Sequence, residues 1–228
     1  HRDTGFPVEY YKDTLTGTTL CDYLTRQFEK QVSQYSFRAK GSGKSGLLTA
    51  SHCGQEILSR TACEITEKGI TARFFVGFPA NGRTINATEL EKILFDFLPV
   101  CIQKSFFYSS LNAKELQNYI ELAEDQEFIR QTLPAKNLCA FIADGSILPR
   151  ESGISSRPMK ASVPFTSPDS LRISINLPHK GKITGMGIPK GITLIVGGGY
   201  HGKSTLLNAL ELGVYNHIPG DGREYVIT

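Results

Sequence analysis

Gly197-Gly198-Gly199-Tyr200-His201-Gly202-Lys203-Ser204-Thr205 fits the pattern G-x-x-x-x-G-K-[ST]. Its flanks fit as well. Gly191-Ile192-Thr193-Leu194-Ile195-Val196 reads as a short buried strand, and Leu206-Leu207-Asn208-Ala209-Leu210-Glu211 reads as the start of a helix. A strand, a glycine loop and a helix make an anion cradle. Glycines let backbone N–H groups turn toward one phosphate, and the helix N-terminus adds its dipole. Lys203 is placed to reach the β- and γ-phosphates of a nucleotide, and Ser204 to offer a hydroxyl to Mg²⁺. Gly197, Gly198, Gly199, Gly202, Lys203, Ser204 and Thr205 are therefore the candidate site for ATP, with Ser204 as the metal contact.

A nucleotide hydrolase of this kind also needs an apolar strand ending in Asp for Mg²⁺ and a group to position water. Only 24 residues follow Ser204, and none of them reads as that strand. Upstream, Leu138-Cys139-Ala140-Phe141-Ile142-Ala143-Asp144 has the right form, which makes Asp144 a candidate either for the metal or for closing a turn at Gly145. No catalytic residue is assigned within the chain. With His1 in first place and so little chain after the loop, the sequence reads as a piece of a longer protein.

The 228 residues suit one large or two small domains; 40% are hydrophobic and 21% charged, enough for a real core. No run approaches the roughly 20 apolar residues of a membrane helix, and no signal peptide is visible. Cys21, Cys53, Cys63, Cys101 and Cys139 form no C-x-x-C pair, so they read as buried thiols in a reducing compartment, mitochondrial or cytoplasmic. His52-Cys53 are neighbours without ligand spacing.

The net charge of +3 is mild, but it is unevenly spread. Residues 134–204 hold nine Lys/Arg against three acids, whereas residues 1–133 hold fifteen against sixteen. A polyphosphate nucleotide or a nucleic-acid backbone fits that basic excess, as does an ordinary solvated surface. A second basic glycine-rich stretch, Lys40-Gly41-Ser42-Gly43-Lys44-Ser45-Gly46, fails the phosphate-loop test because Arg38 stands where the first glycine belongs. The loop reads first as plain surface, with Arg38, Lys40 and Lys44 as candidate phosphate or nucleic-acid contacts.

The spacing of Leu20, Leu24, Phe28 and Val32 predicts a helix with Asp22, Arg26 and Lys30 facing out. Residues 56–65 and 70–78 predict a hairpin turning at Glu67-Lys68-Gly69. Residues 89–107 predict a helix broken at Pro99, and Asn112 is placed to cap another running past Ile129. Phe106-Phe107-Tyr108 could stack bases, but at a helix end such a run reads first as core packing. A strand at 138–143, a long loop at 145–169 and strands at 171–177 and 183–188 complete an α/β chain. An α+β unit over 1–164 is followed by the start of a nucleotide-binding lobe over 165–228.

Several runs together resemble the family of ABC-class ATPases. They are Asp22-Tyr23-Leu24-Thr25-Arg26-Gln27-Phe28, Gly41-Ser42-Gly43-Lys44-Ser45-Gly46, Ala143-Asp144-Gly145-Ser146-Ile147-Leu148-Pro149-Arg150, Gly185-Met186-Gly187-Ile188-Pro189 and Tyr215-Asn216-His217-Ile218-Pro219-Gly220-Asp221-Gly222-Arg223-Glu224. The resemblance implies ATP and Mg²⁺ as cofactors and two ATPase lobes facing each other, as a homodimer or within one polypeptide. It places the Walker B acid and signature loop after residue 228. Within the family, the chain resembles a kinetoplastid mitochondrial RNA-editing accessory ATPase, and that resemblance implies RNA as a partner. By the same likeness, Phe165 is a candidate for stacking on adenine, its other reading being packing under the loop, and Tyr200 and His201 are bulky for this loop and are expected to narrow its mouth.

Overall fold

The computed structural model describes residues 4–66 and 69–228. It divides into two compact units: His1–Cys53 with Ser59–Gln117, and Gly54–Leu58 with Asn118–Thr228. The boundary expected at 164/165 falls inside the second unit, because the strands on either side of it are paired to each other.

In the first unit, helix α1 (Thr14–Tyr35) opens on a capping box. Asp13 accepts from the Thr16 amide, and the Thr16 hydroxyl accepts from the Asp13 amide. Leu20, Leu24, Phe28 and Val32 are buried as the spacing predicts, with Phe28 against Phe106 and Phe74 at centroid distances of 5.0 and 5.6 Å. Asp22 does not face out. It is buried between Arg26 and Arg60, a partner that sequence periodicity has no means of supplying.

Short strands follow α1. Strand β1 (Leu48–Thr49) pairs with β5 (Phe75–Val76), β3 (Cys63–Thr66) with β4 (Gly69–Ala72), and β6 (Ala80–Asn81) with β7 (Thr84–Ile85), all antiparallel. The predicted hairpin thus shrinks to β3 and β4; its turn residues Glu67 and Lys68 lie outside the described residues. Strand β2 (Glu56–Ile57) leaves it and joins the second unit.

Asn86 caps α2 (Ala87–Glu91), which widens into a π-helical stretch, Lys92–Phe97, and continues as α3 (Leu98–Phe106). Pro99 therefore does not break the helix. The Leu98 amide reaches back five residues to the Ile93 carbonyl, and the wider turn lets the ring sit where a new first turn begins. Asn112 caps α4 (Ala113–Ala135) through the Glu115 amide at 3.1 Å, as predicted.

The second unit is a four-stranded antiparallel sheet between two helices. Its order is β12 (Val226–Ile227), β8 (Leu138–Ala143), β10 (Gly181–Pro189), β9 (Arg172–Leu177). On one sheet face Phe141, Ala143, Ile175 and Leu177 pack with Ile129 and Leu133 of α4. On the other, Ala140, Ile142, Met186 and Ile188 pack with Ala209 of α5 (Lys203–Leu212). This is the α/β layering expected. Strand β11 (Asn216–His217) pairs with β2.

One expected strand is absent. Residues 191–196 pair with none of the described strands, and Ile192, Leu194 and Val196 project into solvent. Their apolar character anticipates a central strand, but β8 and β9 fill both sides of β10, and the segment joins neither edge strand of this sheet, β12 or β9.

Candidate phosphate-binding site

The loop over 197–202 hangs between the unpaired segment and α5. Its backbone depends on glycine at two places. Gly197 and Gly202 have φ of 156° and 76°, where a side chain would be strained. Tyr200 adopts a left-handed φ of 63° despite its side chain, which stands fully in solvent and does not narrow the loop. His201 turns inward instead: a Cβ on Gly198 would come within 3.1 Å of its ring.

Gly202 occupies the N-cap of α5 and has no side chain to bond the first amides, so that helix end receives no side-chain cap. Partial positive charge at an uncapped helix start favours an anion. Lys203 bends back and donates to the Gly198 carbonyl, keeping its ammonium inside the loop. Ser204 is exposed on the first turn, beside half-buried Lys203 and Thr205. All seven residues singled out in the sequence lie in this one loop and helix start. Among the described residues there is no cluster of three or more His, Cys, Asp or Glu able to hold a metal ion. A hard cation here would lean on the Ser204 hydroxyl, water and phosphate oxygens, a donor set that suits Mg²⁺.

Asp144 serves its own chain. Its Oδ1 accepts from the Ser167 amide and hydroxyl, both at 2.6 Å, and its Oδ2 accepts from the Thr184 hydroxyl at 2.8 Å. Burial works to raise its carboxyl, but these bonds and nearby Arg172 outweigh it and hold the pKa below the ordinary carboxylate value. These bonds reach Ser167 and Thr184, 23 and 40 residues away, so they fix the turn after β8 to distant segments rather than closing it at Gly145. Phe165 packs against the face formed by Ile142, Met186, Ile188 and Ala209, with Leu206 of α5 beside it, so it supports the loop's helix from below.

A cluster missed in the sequence anchors the segment after α5. Buried His217 directs Nδ1 to Asp221 at 2.8 Å and Nε2 to the Leu212 carbonyl at 3.1 Å. Arg150 donates to the Asp221 carboxylate and carbonyl, and Gln126 exchanges two bonds with the His217 backbone. Arg223 donates to the Leu148 carbonyl; burial, aided by the Arg150 guanidinium, brings it down to about 10, so it stays charged at neutral pH. Arg150 and the 215–224 run were both visible in sequence, but nothing there pairs residues 71 apart.

A separate cavity of about 760 Å³ is lined by residues including Asp125, Asp144, His179, Lys180 and Glu224. Two of its acids are committed: Asp125 to the His179 and Lys180 amides, Glu224 to the Gly220 amide. Arg38, Lys40 and Lys44 lie in the other unit, exposed, on a loop of their own.

An α/β unit presenting a glycine loop at an uncapped helix start defines a P-loop nucleotide-binding protein. Residues 112–228 match the P-loop domain of the ABC ATPases, and residues 2–109 match the N-terminal domain of ATPases of the ABC class. The chain belongs to this ABC-class ATPase family, and the two matched regions meet close to where its two compact units divide. It is also similar to an uncharacterized protein of Methanocaldococcus jannaschii, 37% identical over 112 residues, which cover 46% of this chain and 25% of that protein. The chain thus spans about a quarter of that relative's length. No helix among the described residues is long and apolar enough to cross a membrane.

Proposed function

We propose that this chain holds Mg-ATP through residues 197–205 as part of an ATPase that couples nucleotide binding and hydrolysis to RNA binding or remodelling. The observation that carries the nucleotide half is the uncapped start of α5, with Lys203 folded into the loop beside it. Backbone N–H groups from Gly197 to Gly202 would face the phosphates, Lys203 would balance the β- and γ-phosphate charge, and Ser204 with Thr205 would orient the metal side. Ser204, with water and phosphate oxygens, would hold Mg²⁺, which would supply charge neutralisation at the phosphates. Hydrolysis belongs to the whole protein, in which two such lobes pair as a homodimer or within one polypeptide.

Calorimetric titration of Mg-ATP into the chain and into Lys203→Ala tests this. Wild type should bind, and the variant should bind at least roughly tenfold more weakly, the value of a charge-assisted hydrogen bond. Equal affinity, or no binding by either, overturns the reading.

A second reading is a nucleic-acid-binding module of an RNA-processing complex with little ATPase activity of its own. It is favoured by the exposure of Arg38, Lys40 and Lys44 together, and of Arg157, Lys160 and Lys182 in the basic stretch 150–182. Arg150 is excluded from such a role by its buried pairing with Asp221.

A further inference from the structure

Residues 37–46 and 73–86 carry five Lys/Arg and no Asp or Glu. The fold joins these two stretches through the backbone. Gly46 bonds Phe37 from its carbonyl at 2.7 Å and Gly77 from its amide at 2.8 Å, and Gly77 returns a bond to the Leu47 carbonyl. The Ser42 amide and hydroxyl and the Ser45 hydroxyl all converge on the Ala80 carbonyl. Glycine is required for so close an approach: a Cβ on Gly77 would overlap the Lys44 carbonyl, and one on Gly46 would stand 2.7 Å from the Ala39 carbonyl. The result is a firm platform. Three phenylalanines on it are exposed, Phe37 by 60%, Phe75 by 74% and Phe78 by 55%. Arg38 lies over the Tyr35 ring at 4.6 Å, and Lys40 and Lys44 are exposed. The acid packed nearest to the loop, Glu89, is taken up by the Lys40 amide and the Lys92 ammonium.

We infer that this platform binds single-stranded nucleic acid, its phosphates held by Arg38, Lys40 and Lys44 and its bases stacked on Phe37, Phe75 and Phe78. The inference rests on the second reading above and adds to it the strandedness of the ligand and the side chains that meet the bases. Exposed rings interleaved with cations, in two stretches that hold no acid of their own and whose neighbouring acids Glu64 and Glu89 are taken up by Arg73 and by the Lys40 amide with Lys92, match a polyanion whose bases are unstacked and free to lie on the rings. A duplex keeps its bases stacked on one another and offers those rings nothing. A protein groove of ordinary composition would lack the charge complementarity.

The test is fluorescence anisotropy of the full chain with labelled oligouridylate and oligothymidylate of roughly twelve nucleotides, and with a duplex of equal length. It is run without ATP or Mg²⁺, so its outcome is independent of the phosphate loop. Single strands should bind more tightly than the duplex. Phe75→Ala and Phe78→Ala should each weaken binding by roughly 5- to 100-fold, and Phe78→Tyr should keep it. The double variant Lys40→Ala/Lys44→Ala should flatten the slope of log affinity against log salt by about 1.4. All of these side chains are exposed, and circular dichroism would verify that the variants fold. Absence of binding, equal affinity for the duplex, indifference to both Phe→Ala changes, or binding to phosphatidylserine vesicles but not to oligonucleotides would each overturn the inference.

Discussion

Asp144 ends an apolar strand, as a magnesium ligand would, yet both its oxygens are turned to Ser167 and Thr184. These bonds tie the turn after β8 to β10 and to the loop before β9. Asp144→Ala should lower the stability of the second unit by about 2 kcal/mol, since it removes hydrogen bonds to a charged acceptor, while leaving the Mg²⁺ dependence of ATP binding unchanged. Thermal denaturation and calorimetry together decide this; a loss of Mg²⁺ dependence at unchanged stability would return Asp144 to the metal. Ser204→Ala should do the reverse, weakening the Mg²⁺ dependence with melting unchanged, because Ser204 is exposed and holds up no other part of the chain.

Among the elements, β10 lies tight against its neighbour β8. A Cβ on Gly185 would stand 2.4 Å from the Ile142 carbonyl and 2.5 Å from the Phe141 ring, both in the neighbouring strand. Gly185→Ala should therefore cost about 1–3 kcal/mol by overpacking, read as a lower denaturant midpoint. A wild-type midpoint would mean that β8 can shift away from its partner. The strands, helices and caps of regular period were legible in sequence: α1, the Asn112 cap, β8 to β10 and α5. Two elements were not. The continuation across Pro99 depends on one widened turn, and hydrophobic periodicity does not report the ring size of a hydrogen bond. Residues 191–196 have the composition of a buried strand, but pairing is a property of neighbours, and β8 and β9 already occupy both sides of β10.

At the level of the whole molecule, each unit has its own core, and the second is closed by the buried cluster of His217, Asp221 and Arg150. Burial raises the Asp221 carboxyl, but His217 and Arg150 overcome it, so its folded pKa lies below the ordinary value of 3.8. A depressed carboxylate adds stability above its unfolded pKa and loses it as pH falls through the folded one. Acidification below about pH 4 should therefore destabilise the second unit, and Asp221→Asn should be less stable at neutral pH but less sensitive to that fall. Parallel acid titrations of wild type and variant would sink this account if their pH profiles had the same shape.

The sequence by itself determined the phosphate loop, its helix and the α/β character of the chain. Each of these is written in local spacing: glycines where φ turns positive, an apolar stripe at helical period, a cap at the right offset. Only the tertiary structure decided that Asp22 is buried between two arginines, that Asp144 holds a turn, that Arg150 meets Asp221, and that Phe37, Phe75 and Phe78 stay in the open. Local pattern reports what a residue prefers; burial, pairing and exposure depend on which distant segment folding brings beside it.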